Sequence, residues 1–248
     1  MNSVIKKNLL IEGKTKKIYC TNNPFEIIIH YKDNLTSLNG KKNEIYQDKG
    51  ILNNEINTHI FQFLNSCGIN THFIKRINNR EQLCMKLKMI PLEFVLRNIV
   101  SGSMAQRLGI EEGIKINKNG IIEIFYKNDQ LQDPLINDHH AIFLDIISYE
   151  ELNYIYSIMK KINNILKQYF LSKNIILVDF KLEFGKNTNN EISLADEISP
   201  ETCRFWDKIT MKKLDKDPFR KNLTTKHIDI IDVYMEILKR LHHNSSYQ

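Results

Sequence analysis

The chain has only four cysteines, Cys20, Cys67, Cys84 and Cys203, and they are scattered. There is no Cys-x-x-Cys pair and no Cys/His ligand spacing, so neither a zinc site nor a disulfide framework is indicated. A reducing compartment is the simplest setting. The histidine pairs His139-His140 and His242-His243 are adjacent, not four apart as two ligands on one helix face would be. Long apolar runs are missing as well. No segment approaches the roughly 20 apolar residues of a membrane span. The lysines near the N-terminus are followed by no apolar stretch of the signal-peptide kind. The expectation is a cytoplasmic protein with no membrane partner.

A Walker A loop is also lacking. Gly13-Lys14-Thr15 ends like one, but the position five residues before Gly13, which should be glycine, is Asn8. The residues after Thr15 read as strand, turn at Asn22-Asn23-Pro24, and strand, not as a helix. Gly13 is therefore expected in a hairpin, with Lys14 and Lys16 on one face. That face could meet a polyphosphate or be an ordinary solvated basic strand.

The 248 residues can bury a good core as one large domain or two lobes. The net charge of +6 favours anionic partners such as nucleotides, phosphorylated metabolites or nucleic acid. Strands are expected at Leu9–Cys20, Phe25–Tyr31, Thr71–Ile77 and Gln82–Met89. A helix is expected at Asp48–Asn65, with Ile56, Ile60 and Leu64 on one stripe and Gly68 as its C-cap. Pro91 disfavours regular structure and makes Met89–Glu93 a natural boundary, giving an N-terminal lobe of residues 1–90 and a C-terminal lobe of 91–248. Ser148 and Glu151 form a capping box ahead of a long amphipathic helix through Leu152, Ile155, Met159, Ile162 and Leu166. A further helix is expected over Thr225–Leu241, and a frayed end from Asn244. Between the helices lie strands Ile175–Phe184 and Glu191–Ile198, joined by a polar turn.

The stretch "LVDFKLEFG" is the most informative. Val178, Phe180, Leu182 and Phe184 alternate with Asp179, Lys181 and Glu183, so a strand here has one apolar face and one reading acid, base, acid. The next strand ends in Asp196-Glu197. Carboxylates gathered near lysines suit a Mg²⁺–phosphate site, and equally suit a half-exposed strand with self-neutralising charges. Strand alternation across a simple five-residue loop would put Asp196 on the face opposite Glu183, so joining the two needs an even loop or a bulge. In "VLRNIVSGSMAQRLG", Arg97, Ser101, Ser103 and Arg107 are anion-binding types. Ser101-Gly102-Ser103 could offer N–H groups to a phosphate or simply cap a helix. "KNDQLQDPLIND", with Lys127, Asp129 and Asp133, is a polar loop of the kind that carries substrate contacts. In "DEISPETCRFWD", Arg204 lies beside the single tryptophan, where stacking on Trp206 would be a structural role.

Eight stretches in order, "EGKTKKIY", "YKDNLTSLNG", "RNIVSGS", "RLGIEEG", "KNDQLQDPLIND", "LVDFKLEFG", "DEISPETCRFWD" and "DKDPFR", resemble the SAICAR synthetase (phosphoribosylaminoimidazole-succinocarboxamide synthase) family over residues 12–220. The resemblance implies an α+β, two-lobed fold of ATP-grasp or kinase-like arrangement, with mainly antiparallel sheets and ATP between the lobes. It implies ATP-driven condensation of L-aspartate with carboxyaminoimidazole ribotide in purine biosynthesis, with ATP and Mg²⁺ required, no nucleic acid, and a homodimer as one assembly open to it. By motif, Lys14 and Lys16 would lie over the ATP phosphates, and Met85, Lys86 and Met89 would form the hinge against adenine. Glu183 and Asp196 would hold Mg²⁺. Arg97, Ser103, Arg204 and Arg220 would bind the ribotide. Asp179 and Lys181 would sit near the imidazole amine and carboxylate, with Lys127 and Asp129 near the reacting groups. The chain departs from the pattern at Asn34, where many relatives carry an acid, at Val100 and Ser101, where small alanines are usual, and at Glu201, where Asp is usual.

Two other readings stand beside this one. A small-molecule kinase would use the same lysines and acids but leave aspartate unused. An RNA-binding module would interleave basic residues with exposed aromatics, whereas most aromatics here fall within apolar patterns.

Overall fold

The computed structural model describes residues 3–37, 42–117, 119–217 and 230–243. Two antiparallel sheets organise it. The first contains β1 (Lys6–Glu12), β2 (Lys16–Thr21), β3 (Glu26–Tyr31), β6 (Phe73–Arg76) and β7 (Glu81–Met85), in the order β1-β2-β3-β7-β6. Ile27, Ile29, Tyr31 and Cys84 bury one of its faces. The turn between β1 and β2 carries Gly13, so the expected hairpin forms. Between β3 and β6 come a ribbon of β4 (Asn34–Ser37) and β5 (Lys42–Ile45), then helix α1 (Lys49–Ser66). Ile56, Ile60 and Leu64 form the buried stripe of α1. Gly68, at φ 73°, follows its end, a left-handed conformation that glycine adopts without penalty.

The second sheet holds the functional surface. Its strands are β8 (Lys88–Arg97), β9 (Ile121–Tyr126), β10 (Leu135–Ile136), β11 (Ile175–Lys186), β12 (Ile192–Ala195) and β13 (Cys203–Asp207). The order is β10-β9-β8-β11-β12, and β13 pairs the first half of β11 while β12 pairs its second half. The helices of this part are α2 (Ser103–Leu108), α3 (Asp138–Phe143), α4 (Tyr149–Ser172) and α5 (Ile230–His242). Buried Leu152, Ile155, Met159, Ile162 and Leu166 of α4 join Phe180, Leu182 and Phe184 of β11 in the main core. Helix α4 therefore covers the apolar face of β11 and leaves the charged face open. The first sheet is tied to the second where His72 N–H donates to the Leu194 carbonyl (2.8 Å) and Leu194 N–H to the Asn70 carbonyl (3.0 Å).

Two details differ from the sequence reading. Strand character does not stop at Pro91; β8 runs straight through it. The break falls at Lys86-Leu87, where the chain passes from the first sheet to the second. Pairing moves from Glu183↔Glu93 to Gly185↔Met89, so β8 carries two extra residues at this point. Pro91 sits in that irregularity, where no ladder N–H is required of it. Strand β12 ends at Ala195, three residues short of Ile198. The C-terminal helix is described from Ile230 onward; Thr225 and the next four residues, and the end from Asn244, lie outside the described residues. Among the described residues no helix is long and apolar enough to cross a membrane.

The capping box of α4 forms as read: Glu151 N–H donates to Ser148 Oγ, and Ser148 N–H to Glu151 Oε2, both at 3.2 Å. Ser148→Ala should lower stability by about 1 kcal/mol. Urea unfolding followed by circular dichroism checks this; an unchanged midpoint would mean the cap adds nothing to the buried α4 stripe.

Candidate active site

One irregularity in β11 sets the geometry. Leu177 pairs with Phe205 and Asp179 with Arg204, so β11 carries one extra residue, Val178, opposite β13. Such a bulge reverses which face successive side chains take. Before it, Ile175 and Leu177 point into the main core; after it, Phe180, Leu182 and Phe184 do. Asp179, Lys181 and Glu183 are thereby turned to the other face. Strand β8 runs beside them in register, Arg97 at Asp179, Val95 at Lys181 and Glu93 at Glu183. A cavity of about 400 Å³ opens over this surface, lined by Glu93, Arg97, Ser103, Asp179, Lys181 and Arg204 among others.

At one end lies a row of arginines and acids. The buried Asp179 carboxylate accepts from Arg97 Nη1 (2.7 Å) and Arg204 Nη1 (2.9 Å). Arg97 also bonds Glu123 (2.8 Å) and reaches Ser103 Oγ (3.3 Å). Arg204 Nε bonds Asp217 (3.1 Å). Burial works against the Arg204 charge, but Asp179 and Asp217 outweigh it and hold its pKa above the ordinary value. The alternative of stacking on Trp206 is not adopted: Lys213 lies over that ring at 6.0 Å, while Arg204 turns to the cavity. Gly102 makes room for it, since a Cβ there would collide with Arg204 Nη2. The Gly102 N–H is not free for a phosphate, because it donates to Glu112 Oε1 at 2.9 Å.

At the other end three lysines meet four carboxylates. Lys181 Nζ contacts Glu183 (2.6 Å), Glu93 (3.0 Å) and Asp196 (3.4 Å). Lys127 bonds Glu183 at 2.5 Å. Lys16 bonds Asp196 and, at 2.7 Å, Glu197. Burial alone would depress the pKa values of Lys16 and Lys181, yet the surrounding carboxylates raise both. Burial opposes the charge of Asp196 too, but Lys16, Lys181 and Lys127 hold it far below the usual carboxylate range.

Asp196 reaches this cluster by an unforeseen route. The hairpin closes with Lys186 opposite Ile192, and Glu183 pairs with Ala195. Continued alternation would send Asp196 to the core face. Instead the strand ends at Ala195 and Asp196 takes a left-handed φ of 59°, at a backbone cost of about 1–2 kcal/mol. Two asparagines of α1 hold the turn. Asn53 Nδ2 donates to Glu197 Oε2 (2.5 Å), and the Ile198 N–H donates to Asn57 Oδ1 (2.8 Å).

Among the described residues no cluster of three or more histidine, cysteine or acid side chains is arranged to enclose a metal ion. Glu183 and Asp196 fit a different kind of site. They are two hard oxygen donors in a cluster with one more carboxylate than ammonium among the described residues. Mg²⁺ commonly takes one or two carboxylates and fills its shell with phosphate and water.

Comparison with known proteins identifies the family of the chain. The family model described as SAICAR synthetase matches residues 9–238. The chain belongs to the SAICAR synthetase family. Phosphoribosylaminoimidazole-succinocarboxamide synthase of Fusobacterium nucleatum is 53% identical over 95% of this chain and 98% of its own. The enzyme of that name from Clostridium perfringens is 52% identical over 94% and 97%. The crystal structure of the Ehrlichia chaffeensis synthase superposes with a TM-score of 0.90 at 45% identity, covering 94% of this chain and 98% of that one. A SAICAR synthetase solved in complex with ADP superposes at 0.89, also at 45% identity, over 94% and 97%. The α+β fold with antiparallel sheets is that of these SAICAR synthetases.

Other residues named from the sequence are more dispersed. Lys14 extends to the exposed Asp129 at 3.2 Å. Met85 ends β7, Lys86 N–H donates to the Phe25 carbonyl (2.8 Å), and Met89 lies near the start of β8, so the three span the passage between the sheets. Arg220 lies outside the described residues. Asn34 gives its backbone carbonyl to Lys49 Nζ (2.8 Å). The sequence reading missed Glu93, Glu123 and Asp217, and gave Glu197 no role. Glu93 could have been found by stepping two residues back from Arg97 twice. Asp217 lies in the stretch "DKDPFR", but strand alternation does not point to it, because its contact is made across a loop.

Glu201 is a second node, buried between Lys49 of α1, Lys216 (2.9 Å) and the Tyr234 hydroxyl of α5 (3.1 Å). Burial would raise its pKa, but Lys216 and Lys49 outweigh this and hold it well below the ordinary glutamate range. A depressed acid contributes stability that is complete above its unfolded pKa, about 4.3, and is lost as pH falls toward the folded value. Glu201→Gln should cost about 3–5 kcal/mol at pH 7, because it leaves Lys49 buried and unpaired. It should also flatten the decline of stability below about pH 4. Chemical unfolding of both proteins across pH 3–7 tests the pair of effects.

Proposed function

We propose that the cavity condenses L-aspartate with carboxyaminoimidazole ribotide at the expense of ATP, giving the succinocarboxamide, ADP and phosphate. The reading is carried by one observation: a cavity, in a chain of the SAICAR synthetase family, runs from an arginine row to Lys181 and Glu93 of the lysine–carboxylate cluster. A carboxylate does not condense with an amine at neutral pH, because hydroxide is a poor leaving group. Transfer of the ATP γ-phosphoryl group to the ribotide carboxylate would give an acyl phosphate. Attack by the aspartate amine at its carbonyl carbon then forms the C–N bond and releases phosphate.

The roles divide along the cavity. Arg97, Ser103 and Arg204, with Arg220, bind the ribotide, and bidentate guanidinium groups suit its phosphate. Asp179 holds both cavity arginines in place and, with Lys181, lies toward the imidazole amine and carboxylate. Lys14 and Lys16, from the first sheet, lie over the ATP phosphates. Met85, Lys86 and Met89 form the adenine hinge, which supports residues 1–90 and 91–248 as the two lobes. Lys127, paired with Glu183, and Asp129, paired with Lys14, are assigned to the neighbourhood of the transferred group. Glu183 and Asp196 would hold Mg²⁺, which would neutralise phosphate charge during transfer. The reading places the enzyme in the cytoplasm and leaves a homodimer open as its assembly.

Purified protein should release ADP only when ATP, Mg²⁺, the carboxylated ribotide and L-aspartate are all present. Release without aspartate would instead mark a kinase. Glu183→Gln and Asp196→Asn should each lower kcat roughly 100-fold or more while the protein stays folded. Near-normal rates at saturating Mg²⁺ would remove both from the metal site. Arg204→Ala should raise the KM for the ribotide with little change in that for ATP, and an unchanged ribotide KM would count against its assignment.

A further inference from the structure

The amine of aspartate also needs a group to receive it. At neutral pH that amine is an ammonium ion. It must lie beside the ribotide carboxylate, needs an anionic partner to dock, and must give up a proton before it can attack. The carboxylates lining the cavity are Glu93, Asp133, Asp179 and Glu201, and Glu183 closes the lysine–carboxylate end. Most are occupied. Asp179 is shared by Arg97 and Arg204. Glu201 is shared by Lys49 and Lys216. Glu183 gives one oxygen to Lys127 and the other to Lys181. Asp133 accepts the Asn128 N–H through Oδ1 at 2.8 Å and holds its own loop closed; its Oδ2 has no hydrogen-bonding partner among the described residues, but no ion pair ties it to Lys181.

Glu93 differs. Its Oε1 accepts from Lys181 at 3.0 Å, and its Oε2 has no hydrogen-bonding partner among the described residues. The side chain is 22% exposed, open enough for a ligand yet fixed by its strand. Register places it on the cavity face of β8, two positions from Val95 and four from Arg97. It thus stands beside Lys181, the residue assigned to the ribotide carboxylate, in a cluster with excess negative charge.

We infer that Glu93 docks the α-ammonium group of the aspartate substrate through its free Oε2 and accepts one of its protons. The inference rests on the acyl-phosphate reading of the reaction. The freed amine attacks the acyl phosphate carbonyl carbon; the C–N bond forms as the C–O bond to phosphate breaks. One proton of the ammonium is then on Glu93, the second leaves with phosphate as HPO₄²⁻, and the third remains on the amide nitrogen. Glu93 would thus be a catalytic residue, whereas Asp179 positions the arginines.

Glu93→Gln keeps the shape and an acceptor for Lys181 but has neither the charge nor the basicity. The test compares aspartate with hydroxylamine, a nucleophile mostly uncharged at neutral pH that needs neither an ammonium anchor nor a base. With aspartate, Glu93→Gln should lose roughly 100-fold or more in turnover, and the KM for aspartate should rise. With hydroxylamine, ATP and ribotide, hydroxamate formation should stay within about threefold of the unaltered enzyme. Glu93→Asp, which keeps the charge, should recover part of the aspartate rate. Equal loss with both nucleophiles would overturn the inference, since Glu93 would then act on Lys181 or on phosphoryl transfer. So would normal aspartate turnover in Glu93→Gln. If the unaltered enzyme makes no hydroxamate while it does make the succinocarboxamide, the acyl-phosphate reading fails, and this inference with it.

Discussion

The cleft depends on β11 keeping one face dry and one face charged. Helix α4 and the main core cover Phe180, Leu182 and Phe184, so a β11 displaced by one residue would bury Asp179, Lys181 and Glu183 in hydrocarbon. Burying unpaired charge in that way costs several kcal/mol per ion. The apolar face therefore enforces the register of the charged one. The bulge at Val178 completes the device by letting the first half of the strand bury Leu177 and the second half present Asp179. At the arginine end, Arg97 on β8 and Arg204 on β13 are both placed by pairing with that one strand.

The charges themselves hold one another in check. Like signs crowded in a half-buried cleft would repel and lose solvation, so arginines alternate with acids and ammoniums with carboxylates. Such pairs are weak evidence of stability, because desolvation cancels much of the Coulomb attraction. Their geometry suits a different purpose. Each group is held where a phosphate, a cation or an ammonium can exchange for its present partner. The cost of the left-handed turn at Asp196 is met from outside the cleft by Asn53 and Asn57 of α1. The helix of the first half thereby fixes acids of the second. Glu201, bonded to both α1 and α5, repeats that linkage on the other side.

Much of this was legible from residue order alone. Alternation in "LVDFKLEFG" revealed which face was wet, and the Ser148–Glu151 box and the stripe from Leu152 to Leu166 revealed α4. These are local signals, set by a period of two or 3.6 within a single element. The errors came where a distant segment decides. Pro91 reads as a breaker, but pairing of β8 with β11 accommodates it in an irregular step. For Arg204 the sequence leaves open a ribotide contact or stacking on Trp206, and Asp179 and Asp217 decide against the ring by offering charge where it offers only its face. Asp196 reads as lying on the wrong face, and only a left-handed turn held by α1 corrects that. Glu93 and Glu123 gain meaning only when β8 and β9 are laid beside β11.

The sequence by itself determined the strongly patterned strands and helices, the polarity of their faces, and the kinds of ligand those faces could attract. Periodicity and residue chemistry are properties of short stretches, and they survive without knowledge of neighbours. The tertiary structure alone decided which charges meet. Lys16 and Asp196 are 180 residues apart, and Arg97 and Asp179 are 82 apart. Such pairs form through sheet order, register and one bulge, and these are settled by burying the apolar face of the whole assembly at once.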